Sequence, residues 1–171
     1  MIEEILGLGF DTIEISHGIR SSQLEGILAA REKYQFSISS VHNFLPMPVE
    51  VQTDSPDCYE FTSLRASDRD RATKLSRITI DWAAELGAPF VVVHTGRIRE
   101  LKLTAPLQKM VTDGKFLSRA FVKTRLDAIQ AREKVSEQYN QLILGCLGEL
   151  AAYAGKKGVC LGIENREYYE A

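Results

Sequence analysis

The sequence predicts an α/β fold of parallel strands joined by helical crossovers, and three observations carry that prediction. Four short hydrophobic runs, Thr12-Ile13-Glu14-Ile15-Ser16-His17, Ile38-Ser39-Ser40-Val41-His42, Phe90-Val91-Val92-Val93-His94 and Val159-Cys160-Leu161-Gly162-Ile163-Glu164, each end in a metal-capable or acid/base side chain. A longer stretch of helical character separates each run from the next. All three histidines of the chain stand at the end of such a run. Crossovers between parallel strands build either an open doubly wound sheet or a closed (β/α) barrel. Neither Ser16-His17-Gly18-Ile19 nor His94-Thr95-Gly96-Arg97 is a GxGxxG turn or a phosphate loop, the usual marks of an open nucleotide-binding sheet. A barrel draws its functional groups from the ends of several strands, so a barrel is the expected architecture.

The elements follow in order. Ile2, Ile5 and Leu6 before Gly7 and Gly9 read as the last turns of a helix. A strand over 12–16 follows, then a helix in which Ser22 and Glu25 fit a capping box and which runs to about Tyr34. The second strand, 36–41, ends at His42. Residues 43–64 hold Pro46, Pro48 and Pro56 without periodicity and read as a long surface loop. Ser67-Asp68-Arg69-Asp70 opens a helix whose apolar face runs through Ala72, Leu75, Ile78, Ile80, Trp82, Ala83 and Leu86 to Gly87. Pro89 leads into the third strand. A helix over 116–154, with a buried stripe from Leu126 and Ile129 through Tyr139 and Cys146 to Leu150 and Tyr153, ends at Gly155-Lys156-Lys157-Gly158 before the fourth strand.

A chain of 171 residues with 44% hydrophobic content buries a real core, so one domain over 1–171 is expected. The formal charge of −2 gives no overall attraction to nucleic acid or to an anionic membrane. Met1-Ile2-Glu3-Glu4 places acids where a signal peptide carries bases, and no apolar run approaches the ~18 residues of a membrane helix. Cys58, Cys146 and Cys160 are odd in number and lack CxxC spacing, which reads as reduced thiols in a cytoplasmic protein.

Strand parity sorts the side chains. Alternation places Thr12, Glu14 and Ser16 on one face, as it does Ile38, Ser40 and His42; Phe90, Val92 and His94; and Cys160, Gly162 and Glu164. The opposite faces are mostly apolar and suit helix contact. His17 has the parity of Ile13 and Ile15 and reads as an ordinary loop histidine. Glu14 reads as a buried acid hydrogen-bonded inside the barrel, ahead of a catalytic role.

The stretches Gly9-Phe10-Asp11-Thr12-Ile13-Glu14-Ile15-Ser16, Ser40-Val41-His42-Asn43, Val92-Val93-His94-Thr95-Gly96 and Leu161-Gly162-Ile163-Glu164-Asn165-Arg166 resemble the second to fifth strands of xylose isomerase-like TIM barrels. That superfamily includes sugar and sugar-phosphate isomerases and epimerases and the type IV apurinic endonucleases. The resemblance implies a partial (β/α)8 TIM barrel of about four parallel strands, because a complete barrel of this kind takes about 250 residues. The first and the sixth to eighth strands have no counterpart, nor do the Asp, His and Glu that supply the family's other metal ligands. The expectation is therefore a truncated barrel.

The matching positions nominate a site. His42, His94 and Glu164 are two imidazoles and a carboxylate, a set that suits zinc or another divalent ion (Mn, Mg or Co) with a position open for water or substrate. In the endonuclease branch the matching residues bind metal. In the isomerase branch the Glu does so, and the histidines more often contact substrate. The bland alternative is that His42 and His94 are simple hydrogen-bonding residues at strand ends. Glu14 and Arg166 are substrate-binding candidates, with a surface salt bridge the alternative for Arg166. The resemblance implies an isomerase or epimerase in which metal polarises a sugar carbonyl or hydroxyl and carboxylates, Glu164 among them, move a proton.

Residues 95–125 carry eight basic side chains against Glu100 and Asp113. Placed over the strand ends, the arginines of this segment would hold a phosphate and favour a sugar phosphate. Otherwise they form a solvated helix face. An apurinic endonuclease-like zinc phosphodiesterase is the second reading. The third is an incomplete barrel without turnover of its own that self-associates through its open sheet edges.

Overall fold

The computed structural model describes residues 1–51, 57 and 59–165. In chain order its elements are α1 (Ile2–Gly7), β1 (Thr12–Ile15), α2 (Ser21–Lys33), β2 (Ser37–His42), α3 (Ala66–Leu86), β3 (Phe90–His94), α4 (Thr104–Thr112), α5 (Arg119–Lys156) and β4 (Cys160–Glu164). The four strands form one sheet in the order β1-β2-β3-β4, and every neighbouring pair is parallel. A doubly wound sheet reverses its strand order at a switch point. Here each strand adds beside its predecessor, which is how an arc of a (β/α) barrel grows. The α/β partial-barrel expectation therefore holds.

The core lies between the sheet and its helices. Val41, Val91 and Val93 are 0% exposed, and with Ile15, Ile38 and Leu161 they turn toward Leu24, Ile27, Ala72, Ile80, Ala83, Leu150 and Ala154. The other face of the sheet is open, and Phe90, at its start, is 49% exposed.

One parity assignment changes. Ile13 pairs with Ile38, but Glu14 pairs with Ser40, so Ser39 is an extra residue in β2. A bulge of this kind reverses the alternation. Ile38 therefore joins the core at 4% exposure instead of sharing a face with Ser40 and His42, and Ser37 takes the open face, where its hydroxyl meets that of Thr12 at 2.8 Å.

The segment after β2 corrects the expected surface loop. Its described residues have no regular structure, yet Phe44, Leu45, Met47, Val51, Phe61 and Thr62 are all buried. Buried backbone and amide groups need partners, and α3 supplies them. Leu45 N–H donates to Thr79 Oγ1, and Asn43 Nδ2 donates to Ser76 Oγ, each at 2.8 Å. Both hydroxyls belong to fully buried residues of the helix face toward the sheet.

Helix ends also differ in detail. At α2 the cap is Arg20, whose N–H donates to Gln23 Oε1 at 2.9 Å, so Ser22 and Glu25 do not form the cap. The long helix begins at Arg119 behind Ser118, whose Oγ accepts from Phe121 N–H at 3.1 Å, and α4 is a separate helix before it. Leu126 and Ile129 are exposed rather than buried, although α5 also packs on α4, and on α3 Ile78 is likewise exposed rather than part of the buried face. Farther along, Tyr139 reaches back to the loop after β3 and donates to Glu100 Oε2 at 2.6 Å.

That contact makes a pH prediction. The Glu100 carboxylate beside it, together with burial, pushes the Tyr139 phenol up to about 12 from 10.0. A raised pKa stabilises the fold fully below pH 10.0 and loses that contribution as pH rises toward about 12. Tyr139→Phe is expected to cost about 1.5 kcal/mol at neutral pH and to flatten the loss of thermal stability over that alkaline window. An unchanged alkaline profile would refute the assignment.

Candidate metal centre

Parallel pairing brings the strand ends together. His94 is the register partner of Glu164, and His42 is that of Val92, two residues before His94. All three side chains leave the open face at the same end of the sheet. One ligand atom from each of His42, His94 and Glu164 lies within 4.8 Å of the others. The imidazole rings stand edge to face with centroids 5.6 Å apart, and His94 Nε2 is 3.7 Å from Glu164 Oε2.

Each histidine has a carboxylate beside it. Glu14 Oε1 is 3.2 Å from His42 Nε2, and its other oxygen accepts a hydrogen bond from Ser40 Oγ. Asp57 Oδ1 is 2.8 Å from His94 Nδ1. The imidazoles are sunk, with side chains 13% and 9% exposed, while Glu14 and Glu164 are 44% and 51% exposed. Glu14 is therefore hydrogen-bonded as expected but not buried, because four strands leave the concave face open above it. Such carboxylate–imidazole contacts orient a histidine and fix which nitrogen is available.

Two participants were not anticipated. His17 lies in the turn after β1, which ends at Ile15, as expected of a loop residue, and that turn places its ring 6.0 Å from that of His42. Asp57 comes from the irregular segment before α3, where no periodicity marks it. Among the other nominated residues, Arg166 lies outside the described ones, as does Cys58.

The residues fit a divalent ion. His42 Nδ1 is buried without a hydrogen-bond partner among the described residues, a costly state for a ring nitrogen and a suitable one for a ligand. A mixed set of two nitrogens and carboxylate oxygen matches first-row divalent ions better than an all-oxygen set would.

The basic segment divides. Arg97 and Arg99 stand beside the site and close on Glu60, whose side chain is only 2% exposed: Arg99 Nε donates to Glu60 Oε2 at 2.7 Å, and Arg97 Nε is 3.7 Å from Oε1. Burial pushes the Glu60 carboxyl up, against the opposing pull of Arg99 and Arg97. Lys109 and Lys115 pair with Asp113 farther out. Arg97, Arg99, Arg65, Thr62 and Tyr139 line a cleft of about 420 Å³ with Glu60 at its base.

Parallel strands converging on two imidazoles and a carboxylate define a (β/α)-barrel protein with a candidate metal centre at its strand ends. The chain belongs to the xylose isomerase-like TIM barrel family, whose model matches residues 2–171. Solved structures agree in fold. A D-tagatose 3-epimerase-like protein superposes with a TM-score of 0.60 at 22% identity, over 98% of this chain and 48% of that one. The TTHB071 protein from Thermus thermophilus, soaked with ZnCl2, gives 0.53 at 18% identity over 96% and 50%. A xylose isomerase-like TIM barrel protein from Mycobacterium smegmatis in complex with magnesium gives 0.50 at 16% over 95% and 44%. The chain thus spans about half the length of the solved structures it matches. No curated protein matches it. Among the described residues, no helix is long and apolar enough to cross a membrane.

Proposed function

We propose that residues 1–171 form a single partial-barrel domain of a cytoplasmic, metal-dependent sugar or sugar-phosphate isomerase or epimerase. The observation that supports this most is the convergence of His42, His94 and Glu164 at the ends of three adjacent parallel strands, with Glu14 next to them. His42, His94 and Glu164 hold the ion, and Glu14 and Ser40 keep the His42 ring in place. A divalent ion (Mn, Zn, Mg or Co) held there would supply a Lewis acid for the substrate carbonyl or hydroxyl. Glu164, half exposed, would take the proton from the carbon beside the carbonyl, hold it as an exchangeable carboxyl proton and deliver a proton to the former carbonyl carbon, while the proton of the neighbouring hydroxyl passes to the former carbonyl oxygen, so aldose and ketose interconvert without gain or loss of atoms. Glu14 and Arg166 would contact substrate hydroxyls.

The test is incubation of the metal-loaded protein with aldoses, ketoses and their phosphates in D2O. Deuterium at the carbon next to the carbonyl, in at least one substrate, is the expected result. A panel that shows neither label nor isomer interconversion with all four metals rejects the reading.

The row of three imidazoles, His17, His42 and His94, supports a second reading as an apurinic endonuclease-like zinc phosphodiesterase. Cutting of abasic duplex DNA by the zinc-loaded protein, with no sugar labelled in the first assay, would make it the better one. The exposed edges of β1 and β4 support self-association of the isolated chain.

A further inference from the structure

We propose that Glu60 is a positioning residue for His94, acting through Arg99 and Asp57. The inference rests on the metal reading only in its second arm below.

The segments on either side of the cleft are joined at several points. Glu60 Oε2 accepts from Arg99 Nε at 2.7 Å, and Arg99 Nη2 donates to the main-chain oxygen of Asp57 at 3.4 Å. Thr62 Oγ1 donates to Arg97 O at 2.9 Å. Between these contacts the backbone of Gly96 lies so close that an added Cβ would sit 2.4 Å from Thr62 Oγ1 and 2.7 Å from Glu60 Cβ. The strand-end loop after β3 and the segment carrying Asp57 are thus held against each other. That contact places the Asp57 carboxylate on His94 Nδ1 at 2.8 Å.

The chemical consequence is a choice of tautomer. A carboxylate accepts only, so a neutral His94 carries its proton on Nδ1 and presents the Nε2 lone pair toward Glu164. Glu60 itself touches neither histidine. Its buried charge keeps the guanidinium of Arg99, itself half exposed, in one orientation, and Arg99 holds the Asp57 main chain. An ion pair that served only stability would leave His94 unaffected by its removal.

The experiment uses the metal-free protein with 15N-labelled histidine rings, at a pH where the imidazoles are neutral. Wild type is expected to show His94 as the Nδ1–H tautomer. Glu60→Ala is expected to move it substantially toward Nε2–H while the His42 signals stay in place. Glu60→Gln, which keeps an acceptor for Arg99, is expected to restore most of the wild-type signal. Where Glu60→Ala fails to fold, Arg99→Met at its half-exposed position gives the same readout. A His94 tautomer unchanged in every folded variant overturns the proposal. In the second arm, zinc affinity is expected to fall about 10-fold in Glu60→Ala, the lower end of the range for removing an outer partner of a metal-ligating histidine. Zinc that fails to bind even wild type rejects the metal centre and leaves the tautomer signals to decide on Glu60.

Discussion

Replacing both His42 and Glu164 by alanine is expected to lower zinc and manganese affinity by at least about 100-fold. Outer partners of a metal-binding histidine alone account for about 10–100-fold, and this variant removes two of the three converging ligand groups. The fold should survive. Glu164 is half exposed at the end of an edge strand, and substitutions of that kind change stability by about 0.5 kcal/mol or less. His42 is more enclosed, but its ring faces the open side of the sheet rather than the helix-packed core. Calorimetry of wild type and variant, with the circular dichroism of each as a control, decides the matter. Equal affinity in the two proteins would place any metal elsewhere, and the strand-end residues would be hydrogen-bonding groups only. Glu14→Gln makes a graded companion: it touches His42 without belonging to the converging three, so its loss should be the smaller.

Gly96→Ala is expected to be strongly destabilising, costing about 3 kcal/mol or more. Two effects add. The backbone there has φ +105°, a region that L side chains rarely adopt, with a cost of about 1–3 kcal/mol. The new methyl would also collide with Thr62 Oγ1 and Glu60 Cβ, and overpacking of a tight site costs about 1–3 kcal/mol. Gly87 supplies the control. It ends α3 with φ +70°, but nothing lies within 4 Å of an added Cβ, so Gly87→Ala bears only the backbone term of about 1–2 kcal/mol. Urea midpoints of the two variants check this, and the proposal fails if Gly96→Ala is no worse than Gly87→Ala. The damage should also reach the site, because the same close approach carries Asp57 to His94.

Much of this arrangement is legible in the sequence. The four strands, their parallel order and the helical crossovers between them followed from short β-branched runs alternating with 3.6-residue patterns, because those signals are local. His42, His94 and Glu164 were legible for the same reason: each ends its run, and equal strand polarity sends all three to one end of the sheet. Their resemblance to a known family pointed to the same positions.

What stayed hidden was set by contacts between distant segments. No residue in Ser37-Ile38-Ser39-Ser40 announces a bulge, yet the register against β1 moves Ile38 into the core and Ser37 out of it. Residues 43–64 lack periodicity, so they read as a surface loop, whereas α3 provides buried hydroxyls that let an irregular backbone enter the interior. Parity does not reach His17, because the strand stops two residues earlier and the turn after it sets the ring beside that of His42.

The types of side chain at the strand ends, and the end of the sheet to which they go, are properties of the local pattern, since alternation and parallel pairing require nothing beyond neighbouring residues. The carboxylate that each histidine meets is a tertiary matter. Asp57 reaches His94 from 37 residues away in sequence, and it does so because Gly96 has no side chain and a buried Glu60 binds the arginines of the facing loop.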